Sequence, residues 1–328
     1  MSILVLTELD VERLLPMAKC IEVMAEALAG LQRGEWTQPL RSVFPPPNAK
    51  GLMAWMPAHR SGHEPVFGMK VLCVMPGNPA MGLDGHQGAV LLMDGLTGVP
   101  RAMIHAAAVT AIRTAAVSAV ATRLLAREDA RELAIIGTGV QARRHLEAMA
   151  CVRPIARVRV AGRTQERAQA FVESVGQGFQ GTIEAAPSVE DAVRGAHVVV
   201  TATTARTPVL RREWLDPGAH VNAVGASQRT HQEIDTATVA AASLFVDRRQ
   251  SVESEAADFR QALDEGLIPA NHVRAELGEL LVGAEIGRQS PDEITLFRSL
   301  GLAVEDVAAA LYMVRTAEAV GLGGRAPW

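Results

Sequence analysis

Cysteine is scarce in this chain of 328 residues: Cys20, Cys73 and Cys151 are odd in number and far apart. That excludes a disulfide framework and leaves an expectation of reduced, mostly buried thiols, with no Cys-x-x-Cys pair. Aromatic residues make up only 4% of the chain, and neither sign of charge dominates, since 32 basic against 36 acidic residues leave a net charge of −4. Without a basic block or basic residues interleaved with aromatics, a nucleic-acid partner is not expected. An uncharged apolar run of about 20 residues, which a membrane helix needs, is also missing, so no membrane partner is expected. The N-terminus, MSILVLTELDVERLL, has no basic leader and meets acidic residues before a signal-length apolar core can form. These absences together predict a soluble, cytoplasmic protein. There is no fixed-period repeat, low-complexity tract or nucleophile elbow around a serine. His59 and His63 are separated by Gly62 and have no third ligand nearby, so a metal site is not expected.

What the chain does have is length and apolar content, 48% hydrophobic, enough for two cores. Residues 8–33 read as one amphipathic helix. The segments RSVFPPP, GLMAWMPA, VFGMKVLCVM, GAVLLMDG and VPRAMIHA read as successive strands, separated by turn residues. This first section is an α+β unit. From about residue 114 the pattern changes to a long Ala-rich helix, then to strands alternating with helices: LAIIG, VRVAG, TIEAA, VVVTAT, HVNAVG and SLFVD. That alternation predicts a parallel, doubly wound sheet. A last helical run, LGLAVEDVAAALYMVRTAEAVG, follows the sixth strand and is expected to return to the first domain. The acidic run in QSVESEAADFRQALDEG reads as the solvated face of a helix.

The strongest motif is LAIIGTGVQA, where an apolar run ends in Gly137 and Gly139 and passes directly into a helical pattern. Glycines there let the backbone approach a pyrophosphate, and the free N–H groups of the following helix favour its charge. Ala142 stands in the place of the third glycine, a permitted variant. At the end of the next strand, where a carboxylate would hold the ribose of NAD, the chain has Gly162, Arg163 and Thr164. A guanidinium there either pairs with the 2′-phosphate of NADPH or is simply solvated; the first reading predicts NADPH in preference to NADH.

Substrate chemistry calls for polar residues in apolar surroundings. Lys70 lies in an almost wholly apolar strand, where it must be paired or useful unless the strand is an edge and the ammonium reaches water. Arg113 sits in AAAVTAIRTAAVSAVA, a helix apolar all round, so it should face a cleft or a partner. With Arg41, these cations could grip a carboxylate.

The segments QPLRSVFP, GMKVLCVMPGN, HQGAVLLMDGLTG, TAIRTAAVSAVAT, IIGTGVQA, PGAHVNAVGAS and LFRSLGLAVEDVAAA resemble the ornithine cyclodeaminase and mu-crystallin family over nearly the whole chain. The resemblance implies a Rossmann-type domain over 114–304, a substrate and dimerisation domain over 1–113 with 305–328, and a homodimer. It implies that Arg41 and Arg113 bind a carboxylate and that Lys70 is the active-site lysine. Cofactor contacts are implied for His86, Thr114, Gly137, Thr138, Gly139, Val140, Gln141, Arg163, Thr164, Thr201 and Thr203. Ser227 departs from the cyclodeaminases, which carry aspartate there, and is similar to the ketimine reductases of the family. The expected activity is therefore NADPH-dependent reduction, with NADH possible, of a small ketimine carboxylate to an L-amino acid. The alternatives are ornithine cyclodeaminase, alanine dehydrogenase-like and non-catalytic NADPH-binding activities.

Overall fold

A computed structural model of the chain describes residues 2–227 and 229–328, with the backbone alone for Pro79. It begins with β1 (Ser2–Leu6), α1 (Glu8–Leu14) and α2 (Met17–Gln32). The single helix expected over 8–33 is two helices, because Pro16 cannot donate an N–H within a continuing helix and instead becomes the N-cap of α2. Thr7 starts α1 with a capping box, accepting from the Asp10 N–H while its own N–H donates to the Asp10 carboxylate. Then follow β2 (Trp36–Thr37), β3 (Ser42–Phe44), β4 (Leu52–Arg60), β5 (Val66–Val74), β6 (His86–Asp94), β7 (Pro100–His105) and α3 (Ala106–Leu125). The strand expected over RSVFPPP stops at Phe44, where the prolines begin. Pro57 is tolerated inside β4 because it lies between the stretches that pair with β2 and β3. The Ala-rich helix begins eight residues earlier than the sequence pattern suggested, at Ala106.

The chain continues through β8 (Glu132–Ile136), α4 (Val140–Val152), β9 (Arg157–Ala161), α5 (Gln165–Val175), β10 (Thr182–Ala185), α6 (Val189–Val193), β11 (Val198–Thr201) and β12 (His220–Ala223). After these come α7 (Thr236–Ala241), β13 (Ser243–Val246), α8 (Arg249–Glu255), α9 (Ala257–Asp264), β14 (Val273–Glu276), α10 (Leu277–Leu281) and β15 (Thr295–Arg298). All eight strands are parallel, in the order β10-β9-β8-β11-β12-β15-β13-β14. This is the Rossmann-type doubly wound sheet expected from the alternation, with its strand order reversing between β8 and β11. The short, irregularly spaced β14 and β15 were not legible as strands. The acidic run expected to be a solvated helical face is two helices, and Asp258 within it is buried against Arg298 at 3.0 Å.

Finally α11 (Ala303–Val320) and β16 (Gly324–Pro327) complete the first sheet, ordered β16-β1-β7-β6-β5-β4-β2 with β3 on β4. One compact unit is therefore the chain through Arg113 with Leu302–Trp328, and the other is Thr114–Gly301. In the first unit α11 packs on β4, β5 and β6 beside α2. It lies so close to the sheet that a methyl group on Gly68 would stand 2.5 Å from a Val307 methyl carbon. By length and composition α3 could cross a membrane, yet 83% of that window is buried inside the protein. The thiols are less uniformly buried than expected: Cys20 is buried, Cys73 half-buried, and Cys151, on the outer side of α4, exposed.

Candidate active site

Alternation along β5 decides the fate of Lys70. Val66, Gly68, Lys70 and Leu72 face the helices and are buried, because the pleat sends every second side chain to the same side. Since β5 lies between β4 and β6, the edge-strand alternative for Lys70 is excluded; its side chain is 3% exposed. Its ammonium is 2.8 Å from a carboxylate oxygen of Asp306 and 3.4 Å from the Thr110 hydroxyl. Arg113 donates through Nε to Asp306 at 2.9 Å and through Nη1 to Glu305 at 2.5 Å. Both carboxylates are fully buried in the first turn of α11, where negative charge also suits the helix dipole.

Lys70 and Arg113 thus share the two carboxylates, and the charge of Arg41 lies near enough to act on Lys70. Burial pushes the Lys70 ammonium down to about 8; the Arg113 and Arg41 charges add to the fall, while Asp306 opposes it. The surrounding protein, and behind it the Lys70 charge, also holds the His86 imidazole below its ordinary value. The fold therefore brings Lys70, Arg113, Arg41 and His86 into one electrostatic neighbourhood. Two Arg113 nitrogens are engaged by acidic groups of the chain, and the half-buried Arg41 is the more accessible guanidinium.

The second unit gathers the remaining candidates at the carboxyl ends of its strands. Gly137 has φ +125°, and any side chain there would run into the Ala202 carbonyl, so the turns after β8 and β11 meet at the reversal of strand order. Gly139 is the N-cap of α4, with no side chain satisfying the first N–H groups and open space beside its Cα. Val140 is 59% exposed at the same helix end, an unusual position for an apolar residue. Gly162 lies against the Thr138 methyl, leaving little room for the acidic side chain that NAD sites carry. Arg163 is exposed and makes no ion pair with the described residues. Thr164 caps α5, accepting from the Arg167 N–H at 3.4 Å. Thr114 is buried on α3, and Ser227 is half-buried in the turn after β12. The uncapped helix start, the room at Gly139 and the cation at Arg163 fit a dinucleotide phosphate group.

Three buried carboxylates bonded to candidate residues or their turns escaped the sequence reading. Glu305 and Asp306 lie in a quoted motif, and two adjacent acids inside an otherwise apolar helical run were the available signal that buried cations need partners. Glu233 gave no such signal. It is 1% exposed and accepts from the Thr201 hydroxyl at 3.0 Å and from the N–H groups of Thr203 at 2.6 Å, Gly225 at 2.6 Å and Ala226 at 3.2 Å.

A glycine turn built for phosphate at the switch point of a doubly wound sheet defines a Rossmann-type nucleotide-binding protein. Over residues 1–320 the sequence matches the ornithine cyclodeaminase/mu-crystallin family, and the chain belongs to that family. It is 36% identical over 323 residues to Delta(1)-pyrroline-2-carboxylate reductase of Bacillus cereus, covering 98% of this chain and 99% of the relative. It is 38% identical over 293 residues to the ketimine reductase mu-crystallin of Mus musculus, covering 88% and 89%. The Delta(1)-pyrroline-2-carboxylate reductase of Thermococcus litoralis, solved with NADH and L-proline, superposes with a TM-score of 0.94 at 35% identity, covering 98% of this chain and 99% of that one.

Proposed function

We propose that this protein is an NAD(P)H-dependent reductase of small ketimine carboxylates, of the Δ1-pyrroline-2-carboxylate or Δ1-piperideine-2-carboxylate type, yielding L-amino acids. The observation that carries this reading is the buried Lys70, held 2.8 Å from Asp306 beside two guanidiniums and poised to lose its proton near pH 8. A group with that pKa can protonate an imine nitrogen, or keep it protonated, near neutral pH. The bound reduced nicotinamide supplies the hydride that the imine carbon accepts. Arg113 and Arg41, the latter the more open guanidinium, hold the substrate carboxylate. Burial of Lys70 and Arg113 keeps water from competing for that charge.

Residues Gly137 to Gln141 hold the pyrophosphate, with Thr201 and Thr203 on the neighbouring turn, and Arg163 favours the extra phosphate of NADPH. Ser227 stands where the cyclodeaminases carry aspartate, which leaves the chain without their base for the ornithine amino group. L-Proline is what reduction of Δ1-pyrroline-2-carboxylate produces. The test is nucleotide oxidation with a panel of cyclic imines, ornithine, and pyruvate plus ammonia. Rapid oxidation with the imines and formation of L-proline or L-pipecolate is expected. Release of ammonia from ornithine without added reductant would instead establish a cyclodeaminase.

We further propose a homodimer through the sheet face opposite α11. Met53, Phe67 and Met103 are exposed there, with Trp55, Met69 and Leu91 half-buried among them, a broad apolar patch for a protomer to leave in water. Light scattering of Phe67→Lys should show loss of the dimer. An unaltered dimer would place the interface elsewhere.

A further inference from the structure

Glu233 lies outside every strand and helix, in the segment between β12 and α7, yet it is almost completely buried. Its two carboxylate oxygens divide their work. Oε1 accepts from the Thr203 N–H, in the turn after β11; Oε2 accepts from the Gly225 and Ala226 N–H groups, in the turn that leads to Ser227, and from the Thr201 hydroxyl. The second turn is gripped from another side as well, because the buried Arg298 donates to the carbonyls of Ala223 and Ala226. Four donors converge on one carboxylate, three of them on Oε2, and without it the Thr203 and Ala226 N–H groups would lose the acceptor they have here.

We propose that Glu233 is a positioning residue that ties the nucleotide-facing turn at Thr201 and Thr203 to the turn carrying Ser227, extending to Thr203 and Ala226 the link that the Val224 and Gly225 N–H groups make to the Thr201 carbonyl. This rests on the reading of the Thr201–Thr203 turn as part of the nucleotide site. Burial pushes the Glu233 carboxyl above its ordinary value, while its bonds to Thr203 and Thr201 and the Arg298 charge favour the ionised form.

Glu233→Gln separates the two ties. An amide accepts through one oxygen only, and it keeps most bonds by placing that oxygen on Gly225, Ala226 and Thr201. Its NH2 group then faces the Thr203 N–H, donor against donor. The expected result is a KM and a directly measured Kd for NADPH raised roughly tenfold or more, with a much smaller fall in kcat. The Thr203 amide should exchange hydrogen faster while Gly225 stays protected. A Kd, KM and Thr203 exchange rate equal to wild type would overturn the proposal. So would a uniform loss of kcat with unchanged KM and faster exchange throughout the unit, since that is the mark of general destabilisation. Should the variant fail to accumulate, exchange in the wild-type protein decides, because an unprotected Thr203 amide would remove the tie. Failure of the wild type to bind either nucleotide would overturn the functional reading instead; amide exchange, which needs no nucleotide, tells the two failures apart.

Discussion

The two groups of candidate residues are assembled by opposite means. In the second unit the glycine turn proposed to hold phosphate is five consecutive residues, Gly137 to Gln141, whose chemistry lies in backbone N–H groups and, at Gly137, in a left-handed conformation that favours glycine. In the first unit Lys70, Arg113, Glu305 and Asp306 come from β5, α3 and the far end of the chain, and their chemistry lies in buried side-chain charge. A local backbone site tolerates substitution of its neighbours. A buried ionic cluster does not, because removing one charge strands its partners in a medium that cannot hydrate them.

The sharpest way to press that difference is to neutralise Asp306. Asp306→Asn should leave Lys70 and Arg113 short of one counter-charge. Imine reduction should fall by roughly a hundred-fold or more, and thermal unfolding should show marked destabilisation. Wild-type turnover in a folded Asp306→Asn protein would remove the cluster from the mechanism. Lys70→Met should be comparably inactive but better folded, since Asp306 keeps its bond to Arg113 Nε; comparing the two melting curves isolates the electrostatic part.

Gly137→Ala tests the other region. At φ +125° and against the Ala202 carbonyl, the added methyl should cost about 2 kcal/mol or more of stability. It should also weaken nucleotide binding, measured by titration, while leaving the Lys70 cluster intact.

Acidity offers a third handle, because only the first unit contains a lysine shifted into the working range. The rate per encounter, kcat/KM, should decline about tenfold per pH unit above about 8 as Lys70 loses its proton. Stability should move the other way. The folded pKa of Lys70 lies below its ordinary 10.5, so the unfolded chain binds the proton more tightly between the two values. The penalty of burying the ammonium is complete below about pH 8 and is relieved as pH rises toward 10.5. A flat pH–rate profile across that interval would contradict the assignment of Lys70. The smallest effect belongs to Arg163: replacement by alanine should shift the preference between NADPH and NADH by about tenfold, read from the two Kd values, with little change in kcat.

Much of the second unit was legible because its signals are local. The glycines of IIGTGVQA, the missing acid at Gly162 and the alternation of strands with helices each rest on residues within a few positions of one another. Strands β14 and β15 escaped because charged residues, Arg274 and Glu276 in one and Arg298 in the other, interrupt or end their short apolar runs. In the first unit the cations Lys70 and Arg113 announced themselves against apolar neighbours, but their partners did not. The carboxylates of Glu305 and Asp306 lie about two hundred residues from Arg113, and no periodicity links them. Asp258 was misjudged as solvated for the same reason, since its partner Arg298 arrives from a strand that was itself not foreseen.

The order of residues alone determined the doubly wound sheet, the glycine turn after β8 and the need for buried cations to find counter-charges, because backbone conformation and hydrophobic period are set over a few residues. Only the tertiary structure decided which carboxylates answer those cations and that Glu233 binds two turns together. Charge pairing inside a protein depends on distance in space and on the exclusion of water, and neither is written in the spacing of a sequence.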